Sequence, residues 1–168
     1  MNLDRADEPK FLPDNFWDMI CHRYFPVLSL TYISSVFAIA MKHSPNEGNL
    51  LMHIFNDPYP YDMALWIALW VSIPAVFWII IRGSLRYRNR AAIWYKGIAL
   101  LMVITVLLSY VLFPEMAFGN TLRLFMVATI PMFFIQYFFF VRGGLPARAA
   151  WPLTLAGLVF MLYGLIIV

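Results

Sequence analysis

The sequence predicts an all-α integral membrane protein, a compact bundle of five transmembrane helices with the N-terminus cytoplasmic and the C-terminus outside. Three observations lead there. Of the 168 residues, 62% are apolar and only 12% are charged, where a soluble domain runs at about 45–50% and about 25%. Five apolar segments approach the roughly 20 helical residues needed to cross about 30 Å of hydrocarbon. The cations fall almost entirely in alternate connections between those segments. A soluble chain of this size must cover its outside with polar groups, so soluble enzyme folds, nucleic-acid readers, disulfide scaffolds and disordered tails are excluded. The net charge of +3 follows membrane orientation, and no nucleic-acid partner is expected.

Residues 1–24 read as a cytoplasmic segment. They carry Asp4, Asp7, Glu8, Asp14 and Asp18, and no basic region leads into a cleavable apolar stretch, so a signal peptide is not expected. Pro13-Asp14-Asn15 supplies cap-type residues, and Phe16, Ile20 and Tyr24 recur at helical spacing. That pattern predicts a short amphipathic helix lying on the inner face of the membrane. Cys21 is the one cysteine; an intrachain disulfide is impossible, and the residue reads as a small hydrophobe at the boundary.

The bundle occupies residues 25–168, with spans at about 25–41, 63–81, 97–113, 122–141 and 152–168. Pro26 falls in the first turn of the first span, where its missing N–H does no harm. Pro74 and Pro131 lie inside the second and fourth spans and predict kinks there. The third span stops before Pro114, and the fifth is the shortest, leaning on Trp151 and Pro152. Between spans two and five the inner connections hold Arg82, Arg86, Arg88, Arg90 and Lys96, then Arg142 and Arg148. With Arg5, Lys10 and Arg23 they make ten cations on one side, against Lys42 and Arg123 on the other. This positive-inside bias sets the orientation and points to the cell inner membrane as a multi-pass protein.

The outer connection, residues 42–62, is the longest hydrophilic stretch. Leu50, Leu51, Ile54 and Phe55 predict a helical turn on the membrane, broken by Asn56-Asp57-Pro58. Tyr59 and Tyr61 are expected to anchor span two at the headgroup level. No internal repeat is visible, so an inverted-repeat transporter is not supported.

Small residues in helical register let membrane helices approach closely. Ala64, Ala68 and Ser72 form such a stripe in span two, Thr31 and Ser35 in span one, and Gly157 and Gly164 lie one heptad apart in span five. Ionisable groups inside a bilayer are the usual mark of transport or chemistry, and deep in the spans they are nearly absent. Gln136 is the strongly polar side chain there, suited to an interhelical hydrogen bond; Arg123 can snorkel outward or pair with Glu115. His43, His53 and Met52 are the candidate metal ligands, since imidazole and thioether suit copper(I). Methionine is scattered throughout the chain as apolar filler, so no cofactor is expected. His53, Asp57, Asp62 and Glu115 match no catalytic motif, and no catalytic residue is assigned.

These readings lead to a non-enzymatic membrane protein that works by binding other integral membrane proteins within the bilayer, with membrane lipids around it. It would be an accessory or assembly subunit of a larger complex, or an immunity- or exclusion-type protein. The alternatives are a small-solute or ion transporter or channel, and a metal-handling or lipid-acting enzyme using the outer loop.

Overall fold

The structure is a computed structural model that describes residues 16–43, 50–84, 90–112, 119–142 and 145–167, with the backbone alone at 43, 110, 119–127 and 147. Among the described residues there is no strand. The helices are α1 (Phe16–Met19), a π-helical turn π1 (Ile20–Tyr24), α2 (Phe25–His43), α3 (Leu50–Asn56), α4 (Tyr59–Gly83), α5 (Ala91–Leu112), α6 (Gly119–Gln136), a second π-helical turn π2 (Tyr137–Val141) and α7 (Ala147–Ile167). Four helical stretches are long and apolar enough to cross a membrane: Phe16–Lys42, Tyr59–Gly83, Ala91–Ser109 and Arg148–Ile167. Ala128–Val141 is a shorter apolar helix.

The first helix departs from the sequence expectation. No interfacial helix separates from span one at residue 24; α1, π1 and α2 form one continuous helix. The physical reason is Pro26. Inside a helix its ring crowds the carbonyl four residues back and its missing N–H leaves that carbonyl unused. The preceding turn widens to the π form, in which Phe25 N–H donates to Ile20 O, five residues back. Proline therefore reshapes the helix here without starting it.

Ring contacts give the helix directions. Tyr95 at the start of α5 meets Tyr137 at the end of α6, with centroids 5.8 Å apart. His22 before α2 meets Trp151 near the start of α7 at 6.1 Å. At the opposite end Tyr61, early in α4, meets Tyr163, late in α7, at 5.8 Å. Thus α2, α5 and α7 run one way and α4 and α6 the other.

Helix α2 is central, packed most extensively on α4 and α7 and also on α6. Along the continuous helix formed with α1 and π1, the buried positions Met19, Arg23, Val27, Thr31, Ser35 and Ile39 recur every four residues. One core cluster, around Val36, Ile39, Ala64, Ala68, Val71 and Met132, fills the half nearer α3. A second, around Val27, Ala75, Trp78, Tyr95 and Phe140, fills the half nearer π1 and π2. Helices α5 and α7 are peripheral: only 22% and 17% of their apolar windows are buried, against 50% in α4.

Small residues decide where helices touch. A Cβ added to Gly157 would overlap Ser29 Cβ and Oγ, and one added to Gly164 would lie 2.9 Å from Tyr61 Cβ. The two glycines thus let α7 lie directly on α2 and α4. Ala64, Ala68 and Ser72 are all buried on α4. Replacing Gly157 with Ala is expected to push α7 off α2 and cost about 1–3 kcal/mol. Combined with Ser29→Gly, the cycle should show a coupling of about 0.5–3 kcal/mol, read from thermal unfolding of the purified protein in detergent. Purely additive changes would show that the crossing is loose.

Candidate functional site

The bundle's buried polar groups cluster where the two apolar cores meet. On α4, Ser72 lies between Val71 of one core and Ala75 of the other; on α6, Gln136 lies between Phe133 and Phe140. Gln136 Nε2 donates to Ser72 Oγ at 3.2 Å, and Ser72 Oγ donates to Ala68 O at 2.6 Å. Since the single Ser72 proton is used on Ala68, its oxygen must accept from the Gln136 amide nitrogen. That fixes the amide orientation and leaves Gln136 Oε1 turned away, buried and without a hydrogen-bond partner. Thr31 Oγ1 donates back to Val27 O at 2.8 Å, while the Ser35 and Thr129 hydroxyls are buried without partners among the described residues. Thr129 and Gln136 are seven residues apart, about 10 Å along the helix axis. The oxygens therefore form a seam along α2 and α6 and cannot converge on one small ion.

At the end of this seam nearer π1 and π2 lies a residue that the sequence reading placed in the cytoplasmic segment. Arg23 is 7% exposed, and its Nη1 donates to Phe140 O at 3.3 Å. The arginine of one π turn thereby reaches a carbonyl of the other, where Arg142 N–H donates to Tyr137 O, five residues back. Widened turns of this kind recur at functional sites. Aromatic rings close the pocket around them. Trp78 packs edge-on to Phe140 at 4.9 Å, Arg82 lies 5.1 Å over the Trp78 ring, and Lys96 lies 5.5 Å over Tyr137. Lys96 is exposed and Arg82 half-buried, and solvated cation–aromatic contacts of this kind are worth about 0.5–1 kcal/mol each. The Tyr95 hydroxyl, 1% exposed, is buried beside them without a partner.

The sequence did carry a signal for Arg23. Thr31 and Ser35 mark the packed face of α2, and stepping back by fours from Thr31 passes through Val27 to Arg23 and Met19. The break expected at Pro26 hides that register.

The opposite end is closed by α3. Tyr61 OH donates to Ile54 O at 2.7 Å, and Tyr163 OH donates to Phe55 O at 2.6 Å. Tyr61, expected as a headgroup anchor, is instead 2% exposed; its hydroxyl satisfies a carbonyl of the short α3. Asp57 Oδ1 accepts from Tyr59 N–H at 3.0 Å, which caps α4 just before Pro60. His53 Nδ1 lies 3.9 Å from Asp57 Oδ2. Met52 is exposed, and its sulfur accepts from Asn56 Nδ2 at 3.7 Å. Among the described residues, no three His, Cys, Asp or Glu side chains come together. Glu115 and the side chains of His43 and Arg123 lie outside the described residues.

The phenylalanines at the end of α6 and in π2 are sorted by the fold: Phe133 and Phe140 are buried, while Phe134 and Phe138 are exposed. Comparison with protein-family models, curated proteins and solved structures finds no match.

The two polar features predict opposite responses to apolar substitution. Arg23→Met should lower stability by about 1–3 kcal/mol, because Phe140 O loses a donor where no water replaces it; Arg23→Lys should recover part of the loss. Gln136→Met should change it by less than about 1 kcal/mol, since the lost Ser72 bond is offset by removing the partnerless Oε1. Thermal unfolding in detergent measures all three.

Proposed function

We propose that the chain crosses the cell inner membrane five times, N-terminus inside and C-terminus outside, and acts by binding other integral membrane proteins. On this reading it is an accessory or assembly subunit of a larger complex, or an immunity- or exclusion-type protein. The alternating directions of α2, α4, α5, α6 and α7 and the ten-to-two division of cations support the topology, because an odd number of crossings separates the termini. On this reading α6 crosses as well, its apolar stretch Ala128–Val141 being extended by the residues before it.

The observation that carries the functional reading is the outward surface of α5 and α7. Leu100, Leu101, Leu107, Leu108 and Val111 on α5, and Leu155, Leu158, Val159, Leu162 and Leu165 on α7, are all exposed. Most polar side chains, in contrast, are turned inward at the seam or gathered at the ends, and the exposed Thr105 spends its hydroxyl on Leu101 O. Recognition by such a protein is spread over apolar helix faces, so truncations have graded effects and no titratable residue is indispensable. A second reading, a small-solute or ion-conducting protein, is favoured by the partnerless oxygens of Ser35, Thr129 and Gln136.

A reporter fused after Val168 should be active only in its extracytoplasmic form; cytoplasmic activity would overturn the five-crossing topology. Photo-crosslinkers at Leu107 and Leu162 in native membranes should each give a discrete adduct with a protein that also co-purifies stoichiometrically in mild detergent. Alanine at His53, Asp57, Asp62 or Gln136 should leave that co-purification intact. If Gln136→Ala alone abolished function in a folded, inserted protein, the conducting reading would replace the interaction one.

A further inference from the structure

Helix α5 has two faces. Ala91, Tyr95, Met102 and Val106 are buried against the bundle, and the opposite face is open along its length. On that open face Ile93, Gly97, Leu100, Ile104, Leu107 and Val111 are all exposed and follow one another at alternating steps of four and three residues. This is the heptad seam along which two helices coil around each other. Any straight exposed face carries some such spacing, so the residues that fill the seam decide its meaning. One set of alternate positions holds Gly97, Ile104 and Val111, and the other Ile93, Leu100 and Leu107. Ile104 and Val111 branch at Cβ while Leu100 and Leu107 do not, and that division favours two parallel strands. The exposed face of α7 repeats the spacing in Trp151, Leu155, Leu158, Leu162 and Leu165, but with leucine in both sets and no such division.

Gly97 is the independent mark. Gly157 and Gly164 are closed over by Ser29 and Tyr61, and Gly83 is the last residue of α4. A Cβ added to Gly97 would meet nothing within 4 Å. The residue lies inside α5, where glycine weakens a helix, and nothing in its own chain uses the space. Bare backbone on an outward helix face lets a second helix approach closely. The nearby charges leave the seam clear. Lys96 is drawn sideways, its Nζ 5.5 Å from the centroid of the Tyr137 ring. Arg90, one heptad before Gly97, lies just outside α5, and the like charge of a second copy ends the contact there. Together with Trp94, Leu101 and Leu108, the large side chains of the seam are 42–70% exposed. They offer on the order of 800 Å², the share that each partner gives to a standard stable interface.

We propose that this face of α5 docks a second copy of the chain, the two α5 helices lying parallel about a two-fold axis along the membrane normal. Copies of a membrane protein insert in one orientation, so α5 meets its own equivalent in parallel, with each seam residue opposite itself. Glycine then faces glycine, β-branched residues face β-branched ones and leucine faces leucine, with no cation in the contact. The assignment rests on the interaction reading above: it gives α5 its partner and leaves α7 for other membrane proteins.

Disulfide mapping on the full chain in liposomes tests this. With Cys21→Ala removing the native thiol, single cysteines are placed at Leu100, Ile104, Leu107 and Val111, and at the exposed controls Thr105 of α5 and Leu162 of α7. Oxidation should join two chains through the four seam positions and several-fold less through the two controls. Gly97→Leu should leave the unfolding temperature in detergent unchanged, because nothing in the chain lies against that Cβ. It should nevertheless lower cross-linking through Leu107→Cys at least about five-fold, the loss that overpacking a close contact brings. Equal cross-linking at seam and control positions, or undiminished cross-linking in the Gly97→Leu chain, would overturn the dimer. A diazirine side chain at Leu107 that captured a different protein in native membranes, and no second copy, would also sink it while leaving the interaction reading in place. Capture of no protein at either Leu107 or Leu162 would remove the interaction reading itself.

Discussion

On the membrane reading proposed above, the bundle cannot be assembled by hiding apolar surface alone, because a lipid-facing side would be as apolar as the core. What remains to fix one arrangement is close approach and hydrogen bonding. Among the described glycines, Gly157 is closed over by Ser29 and Gly164 by Tyr61. These contacts hold the peripheral α7 against the central α2 and α4. The exposure of α7 and the closure of the far end by Tyr163 both depend on them.

Polar groups supply the rest of the specificity. Gln136 and Ser72 join α6 to α4 at the level where the two apolar cores meet. Arg23 joins the start of the first helix to the end of α6 through a backbone carbonyl. Each is a directional link between buried groups, so each specifies register even where its net contribution is small. The π turns belong to the same economy. Pro26 would otherwise leave a carbonyl stranded, and the widened turn redistributes the backbone bonds without ending the helix.

The two ends of the bundle are unlike each other. One is closed by α3, tied down by two tyrosine hydroxyls on adjacent carbonyls. The other gathers cations over aromatic rings, with Arg82 on Trp78 and Lys96 on Tyr137. An anionic leaflet suits the second end, and the burial of Arg23 among rings lets a charge enter the bundle's margin with its donors engaged.

Composition and periodicity sufficed for the helical class, for helices long and apolar enough to cross a membrane and for the short helix α3, because these follow from local spacing and from the mismatch between 62% apolar content and a soluble surface. They also marked Gln136 as a buried polar group, since a lone amide in an apolar run has few other places to go. They misjudged Pro26 and Tyr61, and left the burial of Arg23 unseen. A proline is compatible with either a helix start or a π turn, and a tyrosine with either an interface or a buried carbonyl; only the neighbouring helix decides. The burial of Arg23 was illegible because its acceptor, Phe140 O, lies 117 residues away and a backbone carbonyl leaves no trace in sequence. The pairing of Gly157 with Ser29 was illegible for the same reason: a stripe of small residues announces a close approach but not the partner, which is set when all the helices pack together.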